Sequence, residues 1–196
     1  MQRRAVRFEA DPILDVETIR ARARRELADG AVTASYGADR DVVLRLLNEA
    51  LATEIVAVLS YKHHYFLAKA AGHPNFVATL REYAAQDSQH ADRIAERIVQ
   101  LGGEPDFSPL ALTQRSHAEY SAGARLAEMV RDALVTERVA VESYREMIRF
   151  VGDGDPTTRR LFEELLAVQE EHARNLLSLV EEVSVHESSR ALRCLT

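Results

Sequence analysis

The sequence predicts an all-α protein: four long helices in two antiparallel hairpins, joined by one long crossover and preceded by a short helical extension. Three observations predict it. Four segments of close to 30 residues carry apolar side chains at helical spacing. Glycine and proline fall between those segments rather than inside them. A stretch from the first segment, EALATEIVAVLSY (49–61), returns in the third as DALVTERVAVESY (132–144), identical at nine of thirteen positions.

Each element has its own signals. Residues 1–40 form an extension with one short helix, VETIRARARREL, after Asp15 and before Gly30. The bundle is expected over 41–183. Its first helix runs from about Asp41 to Ala71 and stops at Gly72; the second runs from about Phe76 to Leu101, with Asn75 as N-cap and Gly102-Gly103 at its end. The third runs from about Ala124 to Val151. The fourth follows Asp155-Pro156, an N-cap with proline in the first turn, and reaches about Val183. The connections GHPN and GDGDP are short enough only for antiparallel neighbours, whereas some 22 residues join the second helix to the third, enough to cross the bundle. Inside that crossover, Ser108-Pro109 marks the start of a small extra helix. A tail, 184–196, closes the sequence.

Composition narrows the class. The chain has 196 residues, 46% hydrophobic, enough for one globular domain with a sizeable core. Eight glycines, five prolines and no tryptophan disfavour a turn-rich β fold. A net charge of −6 opposes a chain-wide nucleic-acid surface. One cysteine, Cys194, excludes an internal disulfide framework, and no apolar run is long enough to span a bilayer or serve as a leader; a cytoplasmic location is expected.

The repeat directs attention to polar residues on the core stripes. The first stripe reads Leu47, Leu51, Glu54, Val58, Tyr61, Tyr65; the third reads Val130, Leu134, Glu137, Val141, Tyr144, Ile148. A glutamate interrupts each apolar seam at the same level. On the second helix the interruption is Asp87 and His90; on the fourth it is Gln169 and His172. From Glu54 to His90 is 36 residues and from Glu137 to His172 is 35, so antiparallel hairpins bring these groups to one layer at mid-bundle. Unpaired carboxylates in an apolar core each cost several kcal/mol, so cations or a closed hydrogen-bond network must compensate them. Carboxylates with two imidazoles suit iron or manganese and accommodate zinc. The adjacent His63 and His64 occupy different helix faces and read as structural.

At this point the residues resemble the bacterioferritin branch of the ferritin-like superfamily, of which the Dps-like shells are another branch. The resemblance rests on LLNEALATEIVAVLSYKHHYF, HADRIAERIVQLGGEPDF, DALVTERVAVESYREMI and EEHARNLLSLVEEV, and it covers about 42–183. It implies a ferritin-like four-helix bundle that oxidises Fe(II) at an intra-subunit di-iron site and stores ferric mineral in a shell of identical subunits. Carried over by position, Glu54 and Glu137 match the terminal glutamates. The two Glu-x-x-His motifs are expected where this chain has Asp87-Ser88-Gln89-His90 and Gln169-Glu170-Glu171-His172. Both histidines are kept and both bridging residues are altered. Asp87 is one methylene short, and the amide of Gln169 leaves three negative charges where two divalent ions bring four positive. A weakened or asymmetric centre is the expectation. Ser88 stands where haem-binding members place methionine, so haem is not expected. Tyr61, two turns from Glu54, is a candidate hydrogen-bond donor or electron source.

Two functions follow. The first is a ferroxidase-type oxidoreductase coupled to iron storage and detoxification, with Fe(II) and O₂ or H₂O₂ as substrates and Glu54, Glu137 and Tyr61 in catalysis. The second is a ferritin-like shell protein that binds metal weakly or not at all, protecting DNA or assembling with an active paralogue. Arg3, Arg4, Arg7, Arg20, Arg22, Arg24 and Arg25 would attract DNA, but interspersed acids dilute that signal. A rubrerythrin-type peroxidase is disfavoured because no CxxC pair is present. A homo-oligomeric shell is expected, twelve subunits favoured by the crossover helix and twenty-four by the length of the tail.

Overall fold

In a computed structural model, the structure describes residues 14–25, 27, 30 and 32–193, with side-chain surroundings as far as 183. All described regular structure is helical: α1 (Val16–Arg25), α2 (Arg40–Ala71), α3 (Pro74–Gln100), α4 (Leu112–Arg115), α5 (Leu126–Val151) and α6 (Pro156–Arg193). Residues 1–36 and 37–196 form separate compact units. In the first, Asp15 caps α1 by accepting from the Thr18 backbone N–H at 3.0 Å, and every described α1 side chain is at least partly exposed.

In the second unit α2 packs on α3 and α5 on α6, with α2 also meeting α5 and α3 meeting α6. This is the bundle of two hairpins that the connection lengths predict. Its turns are closed by local chemistry. Asp39 caps α2 by accepting from the backbone N–H groups of Asp41 and Val42, each at 3.1 Å. Gly72 ends it with φ 80°, a left-handed conformation that costs glycine nothing. Asp155 caps α6 ahead of Pro156, accepting from the Thr158 backbone N–H at 2.9 Å, and its carboxylate also takes both bonds of the buried Arg97 Nη2 at 2.9 and 3.0 Å. The end of α3 is thereby tied to the start of α6.

Three boundaries depart from the expected ones. Helix α3 begins at Pro74, so Asn75 lies inside it and is not the N-cap; proline's fixed φ suits the first helical position. Helix α5 starts at Leu126, where Glu128 accepts from the Arg125 backbone N–H at 3.2 Å, two residues later than Ala124. The segment 184–193, expected as a tail, continues α6; the sequence SVHESSRALR contains no glycine or proline to stop a helix.

The crossover lies along α2. A 3₁₀ turn over Pro109–Ala111, preceded by Ser108, leads into α4 where the extra helix was expected. The backbone N–H groups of His117 and Ser121 donate to the hydroxyls of Thr53 at 3.0 Å and Ser60 at 3.3 Å. These hydroxyls, on the outward side of the buried α2 face, hold the crossover against the helix that carries Glu54.

Candidate metal centre

The polar layer is buried. Glu54 and Glu137 are 1% exposed, Asp87 0%, Gln169 2%, His172 3% and His90 5%. The apolar stripes above and below, including Leu47, Leu51, Leu80, Ile94, Leu165 and Leu176, are buried with them. All six groups named from the sequence therefore come from four helices into one interior layer.

They divide into two unequal halves. Glu54, Asp87 and His90 each offer a ligand atom, and these atoms lie within 4.8 Å of one another; among the described residues this is the one such cluster. His90 Nδ1 stands 3.3 Å from Glu54 Oε2 and 3.6 Å from Asp87 Oδ1. In the other half, His172 Nδ1 lies 3.2 Å from Glu137 Oε1, and among the described residues no second carboxylate joins them to make a cluster. Gln169 leans toward the first half: its Nε2 donates to Glu54 at 3.2 and 3.4 Å and to Asp87 Oδ1 at 3.4 Å. The amide N–H group occupies the space between two carboxylates, where a bridging glutamate would need a cation.

The tyrosines of the repeat cross between the halves. Tyr61 on α2 donates to Glu137 Oε1 on α5 at 2.5 Å, and Tyr144 on α5 donates to Glu54 Oε1 on α2. Each glutamate is thus held by the tyrosine seven residues beyond its twin. Tyr61 does not serve the glutamate on its own helix, as its spacing from Glu54 suggested, but the one across the axis. Tyr144 was not among the candidate site residues. The signal was present, because the repeat preserves SY as well as TE. Gln86 was missed too: its Oε1 accepts from His172 Nε2, and nothing in the repeat marks it.

Electrostatics show what the layer lacks. Burial pushes the Asp87 carboxyl well above the usual range, and the charges of Glu54 and Glu137 push it further. Burial also raises Glu137, with the His172 contact opposing. Both tyrosine hydroxyls are raised, chiefly by burial and secondarily by the adjacent carboxylates. Three buried atoms in the layer have no hydrogen-bond partner: Asp87 Oδ2, His90 Nδ1 and Gln169 Oε1. Buried orphans are rare, and a carboxylate oxygen, an imidazole nitrogen and an amide oxygen are all ligands for a divalent ion. The donor set fits a metal, more fully in the first half than in the second. His64, by contrast, has no acid within bonding reach, and burial lowers its basicity; it carries no part of this layer.

Comparisons with known proteins agree with the geometry. Residues 44–184 match the family described as the ferritin-like domain. A bacterioferritin from Brucella melitensis biotype 1 is 33% identical over 135 residues, covering 66% of this chain and 77% of its own. The chain belongs to the ferritin-like superfamily, in its bacterioferritin branch. A bacterioferritin from Desulfovibrio desulfuricans is 26% identical over 131 residues, covering 66% of this chain and 69% of its own. Among solved structures, a dodecameric thioferritin, the bacterioferritin-related protein from Bacteroides fragilis, superposes with a TM-score of 0.73 at 24% identity. It covers 78% of this chain and 92% of its own, and it supports the ferritin-like fold.

Proposed function

We propose that this protein takes up Fe(II) into the mid-bundle layer, oxidises it there and holds the product as an iron store, as a bacterioferritin-type protein of the cytoplasm. The observation that carries the reading is the convergence of three carboxylates and two imidazoles with unpartnered ligand atoms in a buried layer. Glu54, Asp87 and His90 hold the first ion. Glu137 and His172 hold the second, with Gln169 turning its amide so that Oε1, not Nε2, faces the metals. Fe(II) is the substrate: each ion gives up one electron, and a dinuclear site delivers the pair to O₂ or H₂O₂. The protein's own share is geometric and electrostatic. The two glutamates fix the ions, and Tyr61 and Tyr144 fix the glutamates. Manganese or zinc would occupy the same donors.

Three buried negative charges fall one short of balancing two divalent ions, so the two positions are unequal: the first binds tightly and the second loosely. Anaerobic Fe(II) titration should resolve two steps of different affinity, and two equally tight sites would contradict the asymmetry. Aerobic addition of Fe(II) should give absorbance growth that the double variant Glu54→Ala, Glu137→Ala lacks; equal slow growth in both would refute the oxidase reading.

One observation favours a second reading. Gln169 Nε2 already links Glu54 to Asp87, which is what a closed, metal-free hydrogen-bond layer requires. On that reading the protein is a shell subunit without a working centre. Several relatives are bacterioferritins, and one structural neighbour is described as a dodecamer. Leu59 and Phe66 on α2, and Val135 and Phe150 on α5, lie 46–66% exposed, apolar area that subunit packing would cover. Sedimentation tests assembly. DNA binding, favoured only by the arginines of the extension, is tested by gel shift at two salt concentrations.

A further inference from the structure

His64 is buried as completely as the metal layer but has none of that layer's partners. Its side chain is 0% exposed, and neither ring nitrogen has a hydrogen-bond partner. A neutral imidazole carries one donor and one acceptor, so both go unmet, a rare state for a buried group. The residue lies on the buried stripe of α2 one turn beyond Tyr61, whose hydroxyl is committed to Glu137. The charges that act on it are Asp132 on α5 and its neighbour His63.

The same surroundings hold the end of the crossover. Ser121 Oγ donates to Asp132 Oδ2, and the Ser121 backbone N–H donates to Ser60 Oγ on α2 at 3.3 Å. The Tyr120 ring meets His63 edge-on, with ring centres 6.1 Å apart. At Gly123 the chain passes so close to α5 that a Cβ there would stand 2.6 Å from Asp132 Oδ2. One carboxylate therefore fastens the crossover to α5 and is also the negative charge that acts on the unpartnered imidazole. Further along the crossover, His117 Nε2 lies 3.4 Å from Glu49 Oε2, a contact that protonation strengthens.

We propose that His64 is an acid-sensitive latch: when its ring takes up a proton, the Asp132 carboxylate turns from Ser121 to the imidazolium, and the end of the crossover, 117–125, comes free of α2 and α5. A buried imidazolium must find a counter-charge, and Asp132 is the carboxylate placed to supply it. Burial holds the basicity of the ring below the ordinary histidine value of 6.5, so the latch is closed at neutral pH. Because the folded value is the depressed one, the contribution of His64 to the closed state is fully present above 6.5 and is lost as pH falls below it. The His117–Glu49 contact has the opposite sense and does not open the crossover. The latch stands or falls independently of metal binding.

The test is hydrogen exchange followed by mass spectrometry on the full chain, with rates corrected for the intrinsic effect of pH. Protection of the peptide 117–125 should fall by up to about tenfold per pH unit below 6.5, the slope of one proton per opening. His64→Leu, neutral at every pH, should keep its protection across the same range. Should that variant lose its helical circular-dichroism spectrum, His64→Gln carries the same expectation. Ser121→Ala should lose protection already at neutral pH. Comparing proteins that differ only at position 64 cancels the titration of the carboxyls in the metal layer. A parent without the slope, a His64 variant that keeps it, or a Ser121→Ala protein as protected as the parent at neutral pH would overturn the inference. So would a loss spread equally over all the helices.

Discussion

The two hairpins carry the same core but not the same chemistry. In α2 and α5 the repeat is kept where side chains cross the pseudo-twofold axis: Glu54 with Tyr144, Glu137 with Tyr61. In α3 and α6 the histidines are kept, while the residues between the halves differ, Asp87 in one and Gln169 in the other. A crossed pair constrains both copies at once, since changing one tyrosine strands the glutamate of the opposite half. A bridging residue is constrained only through what it bridges, so that is where the halves have diverged.

Restoring the missing charge should have the largest effect. Gln169→Glu places a fourth carboxylate among three buried ones and removes the donor that links Glu54 to Asp87. Without metal, the variant should lose on the order of 3 kcal/mol in urea unfolding. With metal the sign reverses: the fourth charge completes neutralisation, and the second equivalent should tighten until the two titration steps merge. A variant as stable as the parent in the absence of metal would mean that the layer tolerates charge by another route, such as water entry.

Next in size are the crossed tyrosines. Tyr61→Phe and Tyr144→Phe each remove one donor from a buried carboxylate, at a cost of about 1–3 kcal/mol. If the halves are equivalent in this respect, the two losses should match, and the double variant should depart from their sum because the two glutamates act on each other within one buried layer. A large difference between the single variants would show that one glutamate is held mainly by its other partners, Gln169 for Glu54 or His172 for Glu137.

A smaller, graded effect follows from the raised carboxyls. Asp87 and Glu137 hold protons in the folded, metal-free protein at pH values where the unfolded chain has released them. The folded state then binds more protons, so their contribution is fully present below the ordinary carboxylate range and is lost as pH rises through the raised values. The melting temperature of the metal-free protein should fall as pH is raised across that window. Bound metal replaces those protons and should flatten the slope. A melting temperature that climbs with pH in the metal-free protein would contradict the protonated layer.

The fold was legible because its signals are local and repeated: periodicity, Gly72 and Asp155-Pro156 at the turns, and connection lengths that leave one topology. The six polar residues were legible because matched spacings of 36 and 35 put them at one level. What stayed hidden depends on direction rather than spacing. Nothing in the sequence says that Tyr61 bonds across the axis, that Gln169 turns its N–H group toward Glu54, or that Gln86 reaches His172. The start of α3 was misplaced because Asn75 is a good cap in isolation, whereas Pro74 one residue earlier is a better first helical residue. The continuation of α6 past Val183 was missed because apolar periodicity fades there, although no residue stops the helix.

The smallest expected effect tests the register on which the comparison depends. Glu170 follows Gln169 and offers the carboxylate that the second half lacks, but a neighbouring residue points about 100° around the helix. In the structure Glu170 faces outward and accepts from Arg145 Nη2 at 2.7 Å, with both side chains more than 40% exposed. An exposed pair of this kind contributes only marginally to stability, because solvent and salt screen it. Glu170→Gln should therefore leave metal titration unchanged and shift unfolding only marginally, a loss that salt should abolish in the parent as well. If Glu170→Gln removed the second equivalent instead, α6 would be turned by one residue from the arrangement described, Glu170 would be the missing ligand, and the asymmetry between the halves would disappear.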